Sequence, residues 1–515
     1  MFPTLDNISG LQGALKNDLL VFLPELAICG GIVALLLARL IPVLDRVHLG
    51  SVALVALAVS LFAGGYQVHD GSWAGPYFGG MLVADAWGGF VRLIVLAAAL
   101  ITVILSLLTG IPDKDDSADF YVLLLGGTLG MTLMTSAAHL LMVFIAVEMA
   151  SLPGYALAGF LKGKRSGSEA ALKYVVYGAA ASGVMLYGIT LLAGTFGTGA
   201  LHDVAAGIAQ RGLDLPVLAG LAFVLVGLGF KLAAVPFQFW CPDVFEGAAA
   251  EVAGFLSVAS KAGAIGLTGR VLLTLHAEQH GGWAIPASLG IGVAVVAMIT
   301  VTFGNLAAFA QTNLKRLLAY STIAHAGYML MALACVTPEG ASAVLYYLAA
   351  YVAMNLGAFG VVALVRNATG SEEISAVRGL VRRSPLLAVA MTVFLASLLG
   401  LPPLAGFAGK FQVFVAVYQA AKAATASGPP GLGVVLFVLL VVGAVNTAIS
   451  AYYYLKIARA MLLDDPAEGT AATATSSPVA GLFFVALVAF LFAAGVMWDP
   501  LMSETVRAAS AFGVK

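Results

Sequence analysis

The sequence predicts an all-α polytopic membrane protein with about 14 transmembrane helices, and three observations carry that reading. The chain has 515 residues, is 61% hydrophobic and has a mean hydropathy of +1.00. Only 10% of its residues are charged, against about 25% in an ordinary soluble protein. Its apolar residues gather into stretches close to the roughly 20 residues that a spanning helix requires. A soluble globule of this size would need far more charge to cover its surface. The same numbers exclude a disordered, collagenous or coiled-coil chain.

The stretches follow in order. Spans 1–3 cover 19–41, 50–66 and 88–109. Spans 4 and 5, 120–136 and 138–161, are almost continuous, with only a weak turn near Ala137–Ala138. Span 6 covers 170–194. Span 7, 216–240, contains Pro236 and is expected to be broken there. Spans 8–11 cover 251–275, 284–310, 316–336 and 341–366. Span 12, 386–420, is too long for a straight crossing and contains Pro402 and Pro403, so a second broken helix is expected. Spans 13 and 14 cover 432–462 and 478–498. The longest connections, at 67–87, 195–215, 367–385 and 464–477, leave no room for a soluble domain.

Spans 7 and 12 suggest an internal repeat. Span 7 reads GLGFKLAAVPFQFW, with Lys231 before Pro236, and span 12 reads LGLPPLAGFAGKFQ, with Lys410 after Pro403. They lie an odd number of spans apart, so they cross in opposite senses, and the order of proline and lysine is reversed. That is the pattern of an inverted repeat. It divides the chain into spans 1–3 (1–117), two five-helix units (spans 4–8, 118–275; spans 9–13, 276–463) and span 14 with its tail (464–515).

Lys and Arg set the orientation. Loops after odd-numbered spans hold Arg46, Lys114, Lys162, Lys164, Arg165, Lys315, Arg316, Arg378, Arg382 and Arg383, with Lys456 and Arg459 nearby; the other side and the tails hold only Lys16, Arg211, Lys422, Arg507 and Lys515. The positive-inside rule then places both termini outside. Net charge is −1, which implies no nucleic-acid partner. Cys29, Cys241 and Cys335 show no metal or disulfide spacing, and there is no GxGxxG or Walker A loop. No nucleotide, metal or redox cofactor is therefore expected in this chain. The N-terminus lacks the pattern of a cleaved signal peptide.

Four ionisable residues fall well inside spans: Glu148, Lys231, Lys261 and Lys410. Each costs about 2.5–3.5 kcal/mol to insert. A buried ion pair, or a lysine that snorkels to the interface, accounts for one such residue. Here one carboxylate faces three ammoniums, so at least one lysine must be neutral, hydrated or changing its proton content. Burial and a neighbouring cation disfavour a charged amine while a carboxylate favours it, so such a row can shift protons as its neighbours change. The proline breaks soften the helices and admit water. His325 is the mid-span histidine: either a relay group or a histidine held on a carbonyl. Ser257, one turn from Lys261, can orient it or hold a water. Thr322, Tyr174, Tyr177 and Asn355 can do likewise, although helix–helix glue is the simpler role. Arg92 and Lys173 lie near span ends and are expected to snorkel, and Trp240 and Tyr155 to anchor at the interface.

Four stretches carry a family resemblance: FKLAAVPFQFWCPDVFEGA (230–248), FLSVASKAG, LKRLLAYSTIAHAGYML and LLGLPPLAGFAGKFQVF. They resemble the antiporter-like membrane subunits of respiratory complex I, and the likeness covers nearly the whole chain. It implies that Glu148 is the span-5 glutamate, Lys231 its span-7 partner, Lys261 the central span-8 lysine and Lys410 the span-12 lysine towards the outer exit. His325 falls where the family carries a polar linking residue. Gln238 stands where the family commonly has histidine, and Ala249–Ala250 where it has Thr-Pro. The resemblance implies a multi-pass protein of the bacterial inner membrane that moves protons, driven by electron transfer from NADH to quinone. It places FMN, iron–sulfur clusters and quinone in partner subunits, both membrane and peripheral. A subunit of a multisubunit cation/proton antiporter and a purely structural spacer are the alternatives.

Overall fold

The computed structural model describes residues 5–40, 48–71, 73, 75–112, 114, 117–161, 163–277, 284–427, 431–466 and 477–512. Arg46, Lys162 and Lys515 of the basic-residue pattern, and most of the 464–477 connection, lie outside the described residues.

The chain runs α1 (Leu5–Val21), α2 (Leu23–Ala38), α3 (Leu49–Asp70), strands β1 (Gly75–Tyr77) and β2 (Leu82–Ala84), α4 (Ala86–Thr109), α5 (Ser117–Ser136), α6 (Leu140–Ala158) and α7 (Arg165–Phe196). It continues through α8 (Leu201–Arg211), α9 (Leu215–Leu232), α10 (Trp240–Gly247), α11 (Ala250–Ala277), α12 (Ala284–Ala308), α13 (Leu314–Ala334) and α14 (Pro338–Thr369). The last part holds α15 (Leu380–Arg383), α16 (Pro385–Leu399), α17 (Ala405–Ser427), α18 (Leu432–Leu462), α19 (Pro478–Val496) and α20 (Asp499–Ala509). The two strands form a small antiparallel hairpin in the connection before α4.

Each expected span has a helix, but the spans are not all whole. Among the described residues 12 helices are long and apolar enough to cross a membrane, or 13 if the bent pair Gly13–Val21 and Leu23–Ala38 is one span. Fourteen were expected, and the difference lies at 386–420. There α16 has 15 residues, too short alone, and α17 carries Lys410 and Lys422 among many alanines. Span 7 likewise ends early: α9 stops at Leu232, ahead of Pro236, and α10 is a separate short helix.

Sequence chemistry sets the helix ends. Asp85, Asp214, Asn313 and Thr337 each accept a hydrogen bond from a backbone N–H in the first turn of α4, α9, α13 and α14, which satisfies a donor that has no partner within the helix. α5 and α6 approach closely at Gly130, where a Cβ would overlap the Ala150 backbone.

Three helices form the centre. The apolar windows of α11, α13 and α14 are 100%, 94% and 89% buried, against 33% and 28% for α18 and α19. A helix buried on all sides has no lipid-facing stripe to keep apolar, so it can hold polar groups inside the protein. Lys261, Thr322, His325, Tyr347, Tyr351 and Asn355 all lie on these three helices.

Candidate functional site

Two helix breaks organise the site, and they share one local construction. α9 ends with Ala233 in the left-handed region (φ 53°), and α16 with Gly400 (φ 93°). Ala233 N–H donates to Phe230 O and Ala234 N–H to Gly229 O; Gly400 N–H donates to Ser397 O and Leu401 N–H to Ala396 O. This is the Schellman pattern in both places, and it leaves the last carbonyls of each helix unserved. In a continuous helix the Leu232 carbonyl would take the N–H of residue 236, and Leu398 and Leu399 those of 402 and 403. All three positions are proline and have no N–H.

Lysines take those carbonyls. Lys261 Nζ donates to Leu232 O at 2.7 Å. Lys410 Nζ donates to Leu398 O at 2.9 Å and Leu399 O at 3.0 Å. Both heads also face aromatic rings, Lys261 at 5.8 Å from the Trp240 ring and Lys410 at 4.6 Å from that of Tyr328. The C-terminal end of a helix carries partial negative charge, so each break is a fixed well for a cation inside the protein. Gly406 allows the second break to close, since a Cβ there would collide with the Ser397 carbonyl.

Glu148 and Lys231 do not form a direct ion pair. Glu148, half-buried on α6, accepts a hydrogen bond from Ser182 of α7. Lys231 is 1% exposed and donates to Ser151 Oγ at 2.9 Å. Ser151 lies three residues from Glu148 on α6, so both heads rest on hydroxyls of adjoining helices.

A hydroxyl cluster lies between Lys261 and Lys410. Ser257 bonds Thr322 at 2.8 Å and Tyr351 at 3.1 Å, and Asn355 donates to it. His325 meets Tyr347 OH at 2.6 Å through Nδ1 and Tyr454 OH at 3.0 Å through Nε2. Tyr454 bonds Ser321 at 2.5 Å. Tyr328, under Lys410, bonds Thr447 at 3.1 Å. Ser257 is thus committed to the cluster, while Lys261 turns to the helix break. His325 is held by tyrosines, not by a backbone carbonyl.

Several expectations are corrected. Arg92 does not snorkel: it is 3% exposed and pairs with buried Glu25 at 3.3 Å while donating to Gln67 at 2.7 Å. Lys173 pairs with Asp243 at 2.7 Å and Glu169 at 2.8 Å. Trp240 is no interface anchor; it is buried, stacks on Tyr174 and donates to Phe230 O at 2.9 Å. Tyr155 is buried against Tyr174. Tyr174 is an aromatic wall of the first break, and its buried hydroxyl has no hydrogen-bond partner among the described residues. Tyr177 is exposed, away from the cluster. Sequence reading missed Tyr347, Tyr351 and Tyr454, although Tyr347 and Tyr351 at i, i+4 share a face of α14. It also missed the buried pairs Arg270–Asp85 at 2.6 Å and Lys315–Glu372 at 2.8 Å, and buried Glu251.

At the loop ends, Arg316 bridges Asp243 at 2.7 Å and Glu246 at 2.6 Å, tying α13 to α10. Burial acts to raise the Asp243 carboxyl, but its bonds to Lys173 and Arg316 outweigh that and hold it below the usual carboxylate range. Among the described residues no group of three or more His, Cys, Asp or Glu is placed to hold a metal ion.

The chain is similar to known proteins over nearly its full length. Residues 137–428 match the family described as NADH:quinone oxidoreductase/Mrp antiporter, TM. NADH-quinone oxidoreductase subunit N of Anaeromyxobacter sp. (strain Fw109-5) is 41% identical over 94% of this chain and 95% of that protein. Its counterpart from Chlorobium chlorochromatii is 37% identical over 100% and 99%. A chain of respiratory complex I from Thermus thermophilus with bound aureothin superposes with a TM-score of 0.75 at 34% identity, covering 93% of this chain and 98% of that one. A chain of the Mrp complex from Dietzia sp. shares the fold, with a TM-score of 0.77 at 21% identity over 95% and 98%. The lysines at the two helix breaks thus sit in a chain that belongs to the NADH:quinone oxidoreductase/Mrp antiporter membrane-subunit family and groups, within it, with the subunits N of NADH-quinone oxidoreductase.

Proposed function

We propose that this chain translocates protons across the membrane within an NADH–quinone oxidoreductase, using Glu148, Lys231, Lys261, His325 and Lys410. The observation that supports it best is a contrast in partners. Arg92, Arg270 and Lys315 are buried and each has a carboxylate. Lys231, Lys261 and Lys410 are buried as deeply, and among the described residues none has one. A lysine kept only for structure would be paired, because an unpaired buried charge is costly. A lysine resting on neutral oxygens can lose its proton without leaving a bare carboxylate behind.

In this reading a charge change arrives from the side at Glu148, which lies half-buried at the chain's edge. It moves Glu148 and Lys231 between their serine-held positions and direct contact. The change in Lys231 repels or reprotonates Lys261. The proton then passes through the Ser257–Tyr351 and His325–Tyr454 cluster to Lys410 and out. Each unit charge moved against 100 mV costs about 2.3 kcal/mol, so the step must be driven. Both termini lie on the outer side, the basic loops inside, and 118–275 and 276–463 are the two inverted units. FMN, iron–sulfur clusters and quinone belong to partner subunits. The antiporter alternative is weaker, because the Mrp likeness is one of fold whereas the complex I relatives reach 41% identity.

The test is Lys231→Ala and Glu148→Ala in the assembled complex. Proton pumping and coupled NADH oxidation should fall together. Full pumping with normal assembly in both variants would sink the proposal.

A further inference from the structure

We propose that Glu251 loads protons onto this path from the inner side, ahead of Lys261 on the same helix; the proposal rests on the proton-translocating reading above. Glu251 lies in the first turn of α11 and is 0% exposed. Neither of its carboxyl oxygens has a hydrogen-bond partner among the described residues. It is therefore not capping the helix, which is the ordinary role of an acidic residue in a first turn. Nor does it hold a cation, as buried Glu25 holds Arg92. A carboxylate left bare in such a place is costly, so the group suits a change of proton content rather than a permanent charge.

The surroundings favour such a change. Lys315 Nζ donates to Ala248 O at 2.6 Å, three residues before Glu251, and pairs with Glu372 at 2.8 Å. Arg366 of α14 shares the same Glu372 at 3.8 Å, and its Nη1 has no partner among the described residues. Two buried cations thus share the single carboxylate of Glu372 beside the start of α11. From Glu251 the α11–α14 interface leads past Gly254, which faces Leu356 and Phe359, to Ser257 and Asn355. The rise is about 9 Å to Ser257 and about 15 Å to Lys261. Asn355 Oδ1 and Ser260 Oγ, further along, are also buried without partners among the described residues. Among the described residues, unsatisfied polar atoms thus stand in the first turn of α11 and again beside Ser257 and Lys261.

The step balances simply. A proton from the inner aqueous phase adds to one carboxylate oxygen of Glu251. It leaves as that O–H bond breaks, is carried along α11 past Ser260, and forms an N–H bond on the neutral amine of Lys261. No other reactant is consumed.

The experiment uses the assembled complex in proteoliposomes, driven by NADH, with E251Q, E251D and K261A. Glutamine keeps the shape but cannot release the proton. E251Q should slow coupled proton uptake by about tenfold or more, and E251D should restore a substantial part. In infrared difference spectra on acidification, the wild type should show a protonated-carboxyl C=O band that E251Q lacks. Wild-type uptake in E251Q, or an unchanged band, overturns the proposal. If K261A also pumps normally, it is the path itself that fails; if K261A stops and E251Q does not, only the loading role fails. Should E251Q not assemble, E251D decides: a shifted band with slowed uptake supports the role, and an unshifted band overturns it.

Discussion

The two helix breaks have the same backbone and different occupants. At the first, after Leu232, the free carbonyl is taken by Lys261, which comes from a separate helix. At the second, after Leu399, two free carbonyls are taken by Lys410, which lies just downstream in the same broken span. The first contact therefore joins two helices and is lost if they part. The second is local and doubly held. The first break is accordingly the better candidate for a moving element, and the second for a stable terminus of the path.

The comparison predicts an order of effects. The largest belong to the lysines themselves: K261A should reduce proton pumping by the assembled complex about tenfold or more, and K410A comparably. If either variant pumps at the wild-type rate, that break is not on the path. Next comes P236A. It supplies the N–H that the Leu232 carbonyl lacks, so backbone and Lys261 compete for one acceptor, and pumping should slow severalfold. P402A or P403A alone should do less, because Lys410 keeps its other carbonyl; the double variant should approach P236A. Equal effects from P402A and P236A would abolish the distinction between the breaks. Y347F, which leaves His325 Nδ1 without its 2.6 Å partner, should slow pumping less than K261A while leaving assembly intact.

The smallest effect belongs to the ion-pair cluster at the loop ends. D243N should destabilise the subunit by about 1 kcal/mol, since its partners Lys173 and Arg316 are about a third exposed and water screens them. The Asp243 carboxyl is lowered in the folded state. Its contribution is thus fully present above the unfolded value of about 4 and is lost as pH falls through the folded value. Melting curves of wild type and D243N should differ at neutral pH and converge in acid. A constant gap would show that the cluster acts by packing alone.

Much of this was legible before the structure. Glu148, Lys231, Lys261 and Lys410 stand out because charge is so scarce, and Pro236, Pro402 and Pro403 mark both breaks. Even the unserved carbonyls follow from counting four residues back from each proline. What could not be read was which lysine arrives: Lys261 reaches Leu232 only through the packing of α9 against α11. Ser182, which holds Glu148, became a partner only when α7 lay against α6. Tyr347, Tyr351 and Tyr454 read as apolar bulk, since nothing in a sequence separates a buried hydroxyl from a buried ring. Glu251 was passed over because it stands at the edge of a span, where acids are ordinary.

The breaks have a further consequence. A carboxylate counter-ion titrates, so a proton leaving a lysine can stall on its partner. A peptide carbonyl does not take up a proton at any physiological pH. A lysine seated on one has a landing place whose strength is the same in acid and alkali, and the occupancy of its own nitrogen becomes the sole variable. With such seats at Leu232 and at Leu398–Leu399, each lysine can register one proton at a time without a second ledger to blur the count.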